Sequence, residues 1–370
     1  IRDRTNADLG NRIWFDINAD GIQDPGEFGI GGVDVTVSWI DPDDGVTVIS
    51  MTETTNSDGE YAFSGLPQDI ELTVTVDTAD LPPGLTQTFE LEDDPDITDT
   101  QANNRETIGS EDGIVTQIEL TGTNPSYLDV DFGYTGAGSL GDYVWYDINS
   151  DGVQDGSEVG LDGIDVIVEW AGFDGILGDD PLTPLVDESA DDVTYNTTTA
   201  GGGLYLASNL APGDYTVTVD AGDLPNGIDV ETWDPEFDVS GDPADLGSES
   251  TYALGAGEDH LGVDFGYVGP GRIGDTVWID LDGDGVLDPE EVGIPGVTVT
   301  LTFTEPGGSL VTLMVDTDAN GEYQFEGLPV GIPMTVSIDP GDLPGNMEQT
   351  HDIDDPADGS VCLLYTSDAA

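Results

Sequence analysis

The sequence contains no lysine and only five arginines, against 78 aspartates and glutamates, so its formal net charge is −73 at pH 7. Such a surface repels nucleic-acid phosphates and anionic lipid headgroups, so we expect no nucleic-acid partner and no direct membrane insertion. The natural counter-ions of this charge are metal cations. Hydrophobic residues still make up 37% of the chain and lie in strand-like runs, which is not typical of a disordered acidic tail.

The chain also has little cysteine and no long apolar run. Its one cysteine, Cys362, rules out an internal disulfide framework. No stretch of 18 apolar residues is present, so we expect no transmembrane helix, and the first residues lack the apolar segment of a signal peptide. In an extracellular protein without disulfides, bound metal is the usual means of holding loops in place.

Three tryptophans mark an internal repeat. Trp14, Trp145 and Trp278 lie in the same recurring phrase, and their separations of 131 and 133 residues are those of a domain. A closing phrase, Asp-Phe-Gly-Tyr, ends the first two copies, and a short glycine-rich joint follows each of them. We therefore divide the chain into module 1 (residues 1–136), module 2 (residues 137–269) and module 3 (residues 270–359).

The end of the third copy differs from the other two. It has no closing phrase, and the residues after Gly359 match nothing elsewhere in the chain. We expect module 3 to be truncated, with its last strand missing, and residues 360–370 to be a foreign tail.

Alternation of apolar and polar residues dominates each copy. Val33, Val35 and Val37 alternate with polar residues, and Val297, Val299 and Leu301 alternate with threonines. Turn residues separate such runs, and no convincing amphipathic helix is present. This pattern predicts an all-β fold of tandem β-sandwich modules with Greek-key-like connections.

Each module carries an acidic loop with the spacing Asp-x-[Asn/Asp]-x-Asp-Gly-x-x-Asp-x-x-Glu. We name these acidic loop 1 (residues 16–27), acidic loop 2 (residues 147–158) and acidic loop 3 (residues 280–291). The predicted metal ligands at positions 1, 3, 5, 7, 9 and 12 are Asp16, Asn18, Asp20, Ile22, Asp24 and Glu27 in the first loop, Asp147, Asn149, Asp151, Val153, Asp155 and Glu158 in the second, and Asp280, Asp282, Asp284, Val286, Asp288 and Glu291 in the third.

This spacing is that of an EF-hand-type calcium loop. Calcium takes six to eight hard oxygens at about 2.3–2.6 Å, supplied here by side chains, by the backbone carbonyl of position 7 and by a bidentate glutamate at position 12. Glycine at position 6 permits the sharp bend. Magnesium, which prefers a tight octahedron, is served less well. The alternative is an acidic solvated turn, but three matches at equivalent places favour calcium as the cofactor.

Other motifs carry weaker signals. Recurring aspartates before Leu-Pro and in the closing strand are either second-site ligands or ordinary turn and strand residues. Two Gly-x-Gly-x-x-Gly matches, which start at Gly136 and Gly269, lead into strands rather than the helix that a dinucleotide fold requires. No nucleophile, zinc or phosphate-binding motif is present, so we predict that the protein is not an enzyme.

Taken together, the tryptophan phrase with its acidic loop and the phrase Asp-Gly-x-Tyr-x-Phe-x-Gly-Leu-Pro resemble the B-type repeats of serine-aspartate-repeat surface adhesins, within the collagen-adhesin B-like group. The resemblance implies prealbumin-like β-sandwiches, calcium in the loop residues named above, and a stalk on the outside of a cell. Many domains of the wider group form a lysine–asparagine crosslink, which the absence of lysine excludes here. Calcium is then expected to supply the stiffness.

The sequence therefore predicts a calcium-stabilised spacer of a large extracellular surface protein, with calcium and the neighbouring modules as partners. Two alternatives stay open. The modules themselves bind a host protein or glycan, for which the long acidic insertion at residues 171–192 of module 2 is the candidate region. Alternatively, the acidity is an adaptation to salt, with no role for a metal.

Overall fold

The structure is a computed structural model. It describes residues 5–90, 114–120, 126–156, 158–173, 175–177, 191–225, 227–235, 248–304, 308, 310–345, 347, 349–350 and 362–365. Every element whose bounds are described is a β-strand, and the described residues include no helix of the length and apolarity that a membrane span requires.

Module 1 consists of two sheets. Its strands are β1 (Thr5–Phe15), β2 (Asp34–Ile40), β3 (Val48–Thr54), β4 (Glu60–Pro67), β5 (Glu71–Val76), β6 (Leu85–Glu90), β7 (Ile114–Glu119), β8 (Ser126–Tyr127) and β9 (Phe132–Gly136). One sheet has the order β4-β1-β9-β6, with β8 beside β1, and the other has the order β3-β2-β5-β7. The first and last strands, β1 and β9, pair in parallel, so the end of the module closes against its beginning.

Module 2 repeats this arrangement. Its strands are β10 (Gly138–Tyr146), β11 (Val159–Gly160), β12 (Asp165–Trp170), β13 (Val193–Thr198), β14 (Leu204–Leu210), β15 (Gly213–Val219), β16 (Val230–Trp233), β17 (Glu249–Leu254), β18 (Asp259–Leu261) and β19 (Phe265–Val268). The first sheet has the order β11-β10-β19-β16 with β14 and β18 also on β10, and the second has the order β13-β12-β15-β17.

Module 3 contributes a smaller first sheet. Its strands are β20 (Gly271–Thr276), β21 (Thr298–Thr304), β22 (Leu310–Asp316), β23 (Glu322–Leu328) and β24 (Pro333–Ile338), and β25 (Cys362–Tyr365) comes from the tail. The sheets are β20-β23 and β22-β21-β24-β25. Among the described residues of this module, no strand lies beside β20 in the position of β9 and β19. The predicted division into modules and the foreign origin of the tail stay predictions.

The strand residues face the core as their alternation predicts. In β2, Val35 and Val37 are fully buried, while the neighbouring Asp34 and Thr36 are only partly buried. Burial of one apolar face on each sheet drives the two sheets together, at about 25 cal/mol for each Å² of apolar surface removed from water. The prediction of tandem all-β sandwich modules is confirmed.

The closing strand β9 packs against the tryptophan of module 1, Trp14. Trp14 is 1% exposed, and a Cβ atom on Gly133 of β9 would lie 2.7 Å from its ring atom Cζ2. Trp145 and Gly266 repeat this contact at the same 2.7 Å in module 2. The glycine of the Asp-Phe-Gly-Tyr phrase is therefore needed because the indole ring occupies the space of a side chain. Trp278 of module 3 is less buried than the other two.

The modules also share their apolar interior. A single cluster of buried and contacting hydrophobic side chains extends from module 1 through module 2 into module 3. The short joints thus bring consecutive modules into direct packing contact, and the chain is more than a string of independent units.

Candidate metal-binding loops

Acidic loops 1 and 2 begin directly where the first strand of their module ends, and acidic loop 3 begins at Asp280, after β20 has ended at Thr276. Asp16 directly follows β1 and is fully buried, and Asp147 has the same place and burial after β10. The base of acidic loop 1 is closed by the Phe15 N–H, which donates to the Phe28 carbonyl at 2.9 Å. Tyr146 and Val159 pair at the base of acidic loop 2, and the Ile279 N–H donates to the Val292 carbonyl at 2.9 Å in acidic loop 3.

Backbone N–H groups of acidic loop 1 hold its carboxylates in place. Asp16 at position 1 accepts from the N–H groups of Asp20 and Gly21 at 3.3 and 2.9 Å. Glu27 at position 12 accepts from the N–H groups of Ile17 and Asp24, both at 2.9 Å. The carboxylates at both ends of the loop are therefore held by backbone N–H groups of other loop positions.

The middle positions of acidic loop 1 meet through one amide. The Asn18 side-chain N–H donates to the carboxylates of Asp20 and Asp24 at 3.1 and 3.2 Å. The Asn18 Oδ1 atom in turn accepts from the Asp20 N–H at 2.9 Å. The Asn18 amide thus links the side chains of positions 3, 5 and 9.

Acidic loop 2 reproduces the same contacts with little change. The Asn149 amide donates to Asp151 and Asp155 at 3.1 and 3.2 Å, and Asp147 accepts from the Asp151 and Gly152 N–H groups at 3.2 and 2.9 Å. Glu158 accepts from the Asp155 N–H at 3.0 Å.

Acidic loop 3 has an aspartate at position 3 instead of asparagine. One side-chain oxygen from each of Asp280, Asp282 and Asp284 lies within 4.8 Å of the others, which is close enough for one cation to contact all three. Glu291 at position 12 accepts from the N–H groups of Leu281 and Asp288 at 2.6 and 3.0 Å. The ends of this loop are therefore arranged as in acidic loop 1.

The side chains at position 7 point away from the loops. Ile22, Val153 and Val286 are 61%, 58% and 58% exposed, which fits a position used for its backbone carbonyl rather than for its side chain. The donor set in each loop consists of hard oxygens alone, and this is the chemistry that calcium prefers. Among the described residues, three side-chain oxygens of predicted ligands converge in acidic loop 3, whereas the predicted ligands of acidic loops 1 and 2 are linked by hydrogen bonds. Calcium binding and the ligand sets stay predictions.

Burial and mutual repulsion act on Glu27 and Glu158, which end acidic loops 1 and 2. Burial raises the pKa of Glu27, the nearby Asp16 and Asp24 raise it further, and the two backbone N–H donors partly offset these effects. Burial likewise raises the pKa of Glu158, with a contribution from Asp147. A divalent cation between these carboxylates would replace repulsion by attraction.

In acidic loop 3, the pKa of one aspartate is raised and the pKa of another is lowered. Burial, followed by repulsion from Asp284 and Asp282, raises the pKa of Asp288. A hydrogen bond from the Thr350 hydroxyl, together with loop N–H groups, lowers the pKa of Asp280.

The recurring aspartates before Leu-Pro have a structural explanation. Asp80, Asp223 and Asp342 accept from the backbone N–H groups that begin β2, β12 and β21, at 3.2, 3.3 and 3.1 Å. These contacts fix the start of the second sheet in each module. They favour the interpretation of these residues as turn and strand residues over second-site ligands.

A partly buried aspartate with a raised pKa directly precedes each of the closing strands β9 and β19. Burial raises the pKa of Asp131 to about 6, although the Arg12 N–H donates to it at 2.9 Å. Burial also raises the pKa of Asp264 to about 6, and the neighbouring Asp142 adds repulsion. Module 1 has Asn11 in the place of Asp142, so this repulsion is specific to module 2.

Sequence reasoning missed a set of buried threonines beside the loops. Thr199 donates to the Leu161 carbonyl at 2.6 Å and accepts from the Ile164 N–H at 2.9 Å, so it joins the segment after acidic loop 2 to the second sheet. Thr55 and Thr317 repeat these two bonds in modules 1 and 3. Their recurrence at one place in each copy was the signal that identifies them.

The chain belongs to the family of SdrD B-like domains, whose family model matches it three times. The matched residues are 7–134, 138–267 and 271–361. The resemblance to B-type repeats of serine-aspartate-repeat proteins is thereby confirmed.

Two curated relatives illustrate the likeness. Serine-aspartate repeat-containing protein F of Staphylococcus epidermidis is 32% identical over 326 residues, which are 87% of this chain and 16% of that protein. Serine-aspartate repeat-containing protein D of Staphylococcus aureus strain Newman is 31% identical over 325 residues, which are 87% of this chain and 21% of that protein. The chain therefore spans about a fifth or less of the length of these relatives.

Solved structures with a similar arrangement are more distant. The Bacillus anthracis TIE protein has a TM-score of 0.40 and 14% identity, over 98% of this chain and 48% of that chain. A streptococcal ancillary pilin has a TM-score of 0.30 and 11% identity, over 98% of this chain and 96% of that one.

Proposed function

We propose that this chain is a calcium-stabilised spacer, or stalk segment, of a large protein on the outside of a cell, and that it has no catalytic role. The observation that carries the proposal is the threefold recurrence of one hydrogen bond, which Asp16, Asp147 and Asp280 at position 1 each accept from the N–H of the glycine at position 6. In acidic loop 3, side-chain oxygens of Asp280, Asp282 and Asp284 also lie close enough together for one cation to contact all three.

The energetics favour a cation in these loops. Each loop brings four or five carboxylates together in a chain of net charge −73, and this repulsion opposes the folded state. An ion that binds only the folded module stabilises it by about 2.7 kcal/mol per site when its concentration is a hundred times Kd. Extracellular calcium modules work at roughly 10⁻⁴–10⁻³ M calcium, which suits a protein outside the cell.

The architecture suits a spacer. Three modules in series pack against their neighbours, and the shared apolar cluster limits bending at the joints. Because the chain has no lysine, it has no lysine–asparagine crosslink to stiffen a module. The place of its relatives among serine-aspartate repeat-containing proteins supports a location at the cell surface.

Thermal unfolding of the whole chain, followed by circular dichroism in millimolar calcium and in EDTA, tests the proposal. The spacer hypothesis expects the midpoint to fall on chelation and to recover when calcium is restored. The triple variant Glu27→Gln, Glu158→Gln and Glu291→Gln should show little of this dependence. An equal midpoint in calcium and EDTA would refute the role of calcium.

The two alternatives give different results in related experiments. If the acidity is salt adaptation alone, high potassium chloride with EDTA stabilises the chain as well as calcium does. If the modules bind a host protein or glycan, an array of extracellular proteins and glycans shows specific hits that depend on residues 171–192.

A further inference from the structure

The residues on either side of acidic loop 1 form the contact with module 2. Phe15 immediately precedes Asp16, and Phe28 immediately follows Glu27, so the two aromatic residues flank the first and last predicted ligands. Their rings stack with centroids 5.3 Å apart, and the Phe15 N–H donates to the Phe28 carbonyl at 2.9 Å. The base of the loop is therefore a small aromatic surface.

Module 2 covers this surface with two aromatic side chains. The Trp170 ring lies 5.3 Å from Phe15 and 6.3 Å from Phe28, measured between ring centroids. The Phe173 ring meets the same two rings edge to face, at 5.7 and 5.8 Å. We call Phe15, Phe28, Trp170 and Phe173 the aromatic joint. Aromatic pairs of this geometry contribute about 0.5–1.5 kcal/mol each beyond the burial of their area.

Phe173 comes from the insertion that distinguishes module 2. It lies three residues after the end of β12, and its backbone N–H donates to the Asp191 carboxylate at 2.7 Å. The Gly175 N–H donates to the Ala171 carbonyl at 3.0 Å, which closes a turn around Phe173. The first residues of the insertion are thus shaped to present a ring to module 1.

The next joint places acidic loop 2 against module 3. The Tyr146 hydroxyl, directly before Asp147, donates to the Gly327 carbonyl of module 3 at 2.7 Å. The backbone of the loop also approaches module 3, since a Cβ atom on Gly327 would lie 2.8 Å from the Ile148 carbonyl oxygen. The chemistry of the two joints differs, but both lie at the base of an acidic loop.

Acidic loop 3 provides an internal comparison. Its base is formed by Ile279 and Val292, and Val292 is 60% exposed, with no module packed on it within the described residues. Asp280 of this loop is only partly buried, whereas Asp16 and Asp147 are fully buried.

We propose that the aromatic joint and acidic loop 1 are thermodynamically linked, so that docking of module 2 on Phe15 and Phe28 raises the calcium affinity of the loop, and calcium tightens the docking. The proposal rests on the calcium binding proposed above. Its physical basis is that docking fixes the backbone next to Asp16 and Glu27, which reduces the conformational entropy lost when the ion orders them. Linkage between two sites is reciprocal by thermodynamic necessity.

Calorimetric calcium titration of the whole chain tests the linkage. In a parent that carries Glu158→Gln and Glu291→Gln, acidic loop 1 is the only intact loop. Adding Phe173→Ala should weaken calcium binding about fivefold, at the low end of typical coupling between sites. The matched variants are Phe173→Tyr, which keeps the ring, and Leu177→Ala, a half-exposed residue of the same insertion outside the joint. Both should stay close to the parent.

A second background supplies the control for a general effect of Phe173→Ala. With Glu27→Gln and Glu158→Gln, only acidic loop 3 is intact, and Phe173→Ala should leave its affinity unchanged because the ring of Phe173 packs on Phe15, Phe28 and Trp170 of modules 1 and 2. The reverse direction is measured by hydrogen–deuterium exchange in the first parent. Calcium should slow exchange of the amides of Ala171, Phe173 and Gly175, which belong to module 2.

The outcomes separate the two proposals. Calcium binding by the first parent with equal affinity in the presence of Phe173→Ala overturns the linkage and leaves the spacer function intact. Weakening by the same factor in both backgrounds also overturns it, because the effect would then be general. Absence of binding in the parent, when the unaltered chain also binds none, overturns calcium binding and the linkage together.

Discussion

Phe15 and Trp170 belong to consecutive modules, and their ring centroids lie 5.3 Å apart. This contact joins the end of β1, where acidic loop 1 starts, to the end of β12 in the next module. In the proposed spacer, stiffness is expected to depend on this joint, which lies beside a predicted calcium loop. The consequences for stability are open to direct measurement.

We expect the effect of Glu27→Gln on the unfolding midpoint to depend on calcium. In millimolar calcium it should lower the unfolding midpoint, because a bidentate ligand is lost and with it up to about 2.7 kcal/mol of stabilisation at a hundredfold excess over Kd. In EDTA it should leave the midpoint unchanged or raise it slightly, since burial raises the pKa of Glu27 and disfavours its charge. Differential scanning calorimetry measures both. Glu53→Gln, at an exposed position near the end of β3, is the control, and an equal calcium response in the two variants would contradict the prediction.

We expect Gly266→Ala to destabilise the chain by about 1–3 kcal/mol, the usual cost of overpacking a core. The added methyl group would lie 2.7 Å from the ring of Trp145, which is 1% exposed and has no space to move into. Urea unfolding measures the change. Gly345→Ala is the matched control, because a Cβ atom there meets nothing within 4 Å, and similar losses in both variants would refute the packing explanation.

We expect Asp264→Asn to stabilise the chain in EDTA at pH 7.5 by about 1–2 kcal/mol, after allowance for solvent screening. Burial raises the pKa of Asp264 to about 6 from an ordinary 3.8. The native state then holds this proton more tightly than the unfolded state does. The resulting stability is present below pH 3.8 and is lost as the pH rises through about 6.

The pH dependence of this effect is its check. Chemical unfolding at pH 4 and pH 7.5 should show a gain for Asp264→Asn at pH 7.5 and little gain at pH 4. Asp43→Asn, in the exposed turn after β2, removes one negative charge without affecting a buried group. If the two variants gain equally at pH 7.5, relief of the general repulsion explains the result and burial of Asp264 does not.

We expect Thr199→Val to cost about 1–3 kcal/mol, the penalty for leaving buried polar groups without partners. The valine keeps the shape of threonine but leaves the Ile164 N–H and the Leu161 carbonyl without their side-chain partner. Equilibrium unfolding in EDTA isolates this effect from calcium. Thr194→Val, on the exposed face of β13, should change stability by much less, and an equal loss there would count against the account.

Much of the fold and of the loops follows from local sequence pattern. The alternation of Val33, Val35 and Val37 with polar residues is visible within one segment of the chain. It therefore predicts which side chains are buried without knowledge of the partner strand. The ligand spacing from Asp16 to Glu27 is likewise local, because one tight loop supplies every predicted ligand. These features were therefore predictable.

Contacts between modules could not be predicted in this way, because they correspond to no local pattern in the sequence. The residue before each acidic loop is Phe15, Tyr146 or Ile279, and each differs from the others in chemistry because it meets a different surface or none among the described residues. The insertion at residues 171–192 shows no alternation, yet Phe173 within it packs on module 1. Long-range packing of this kind depends on geometry across the joint, which a repeat pattern does not encode.

Small-angle X-ray scattering of the whole chain in millimolar calcium and in EDTA, at equal ionic strength, tests the calcium-stiffened spacer most directly. The account predicts a well-defined, reproducible distance distribution in calcium and a broader one, with a larger radius of gyration, after chelation. The variant with Glu27→Gln, Glu158→Gln and Glu291→Gln should give the broader distribution in both solutions. Superimposable curves for the unaltered chain in calcium and EDTA would contradict the account.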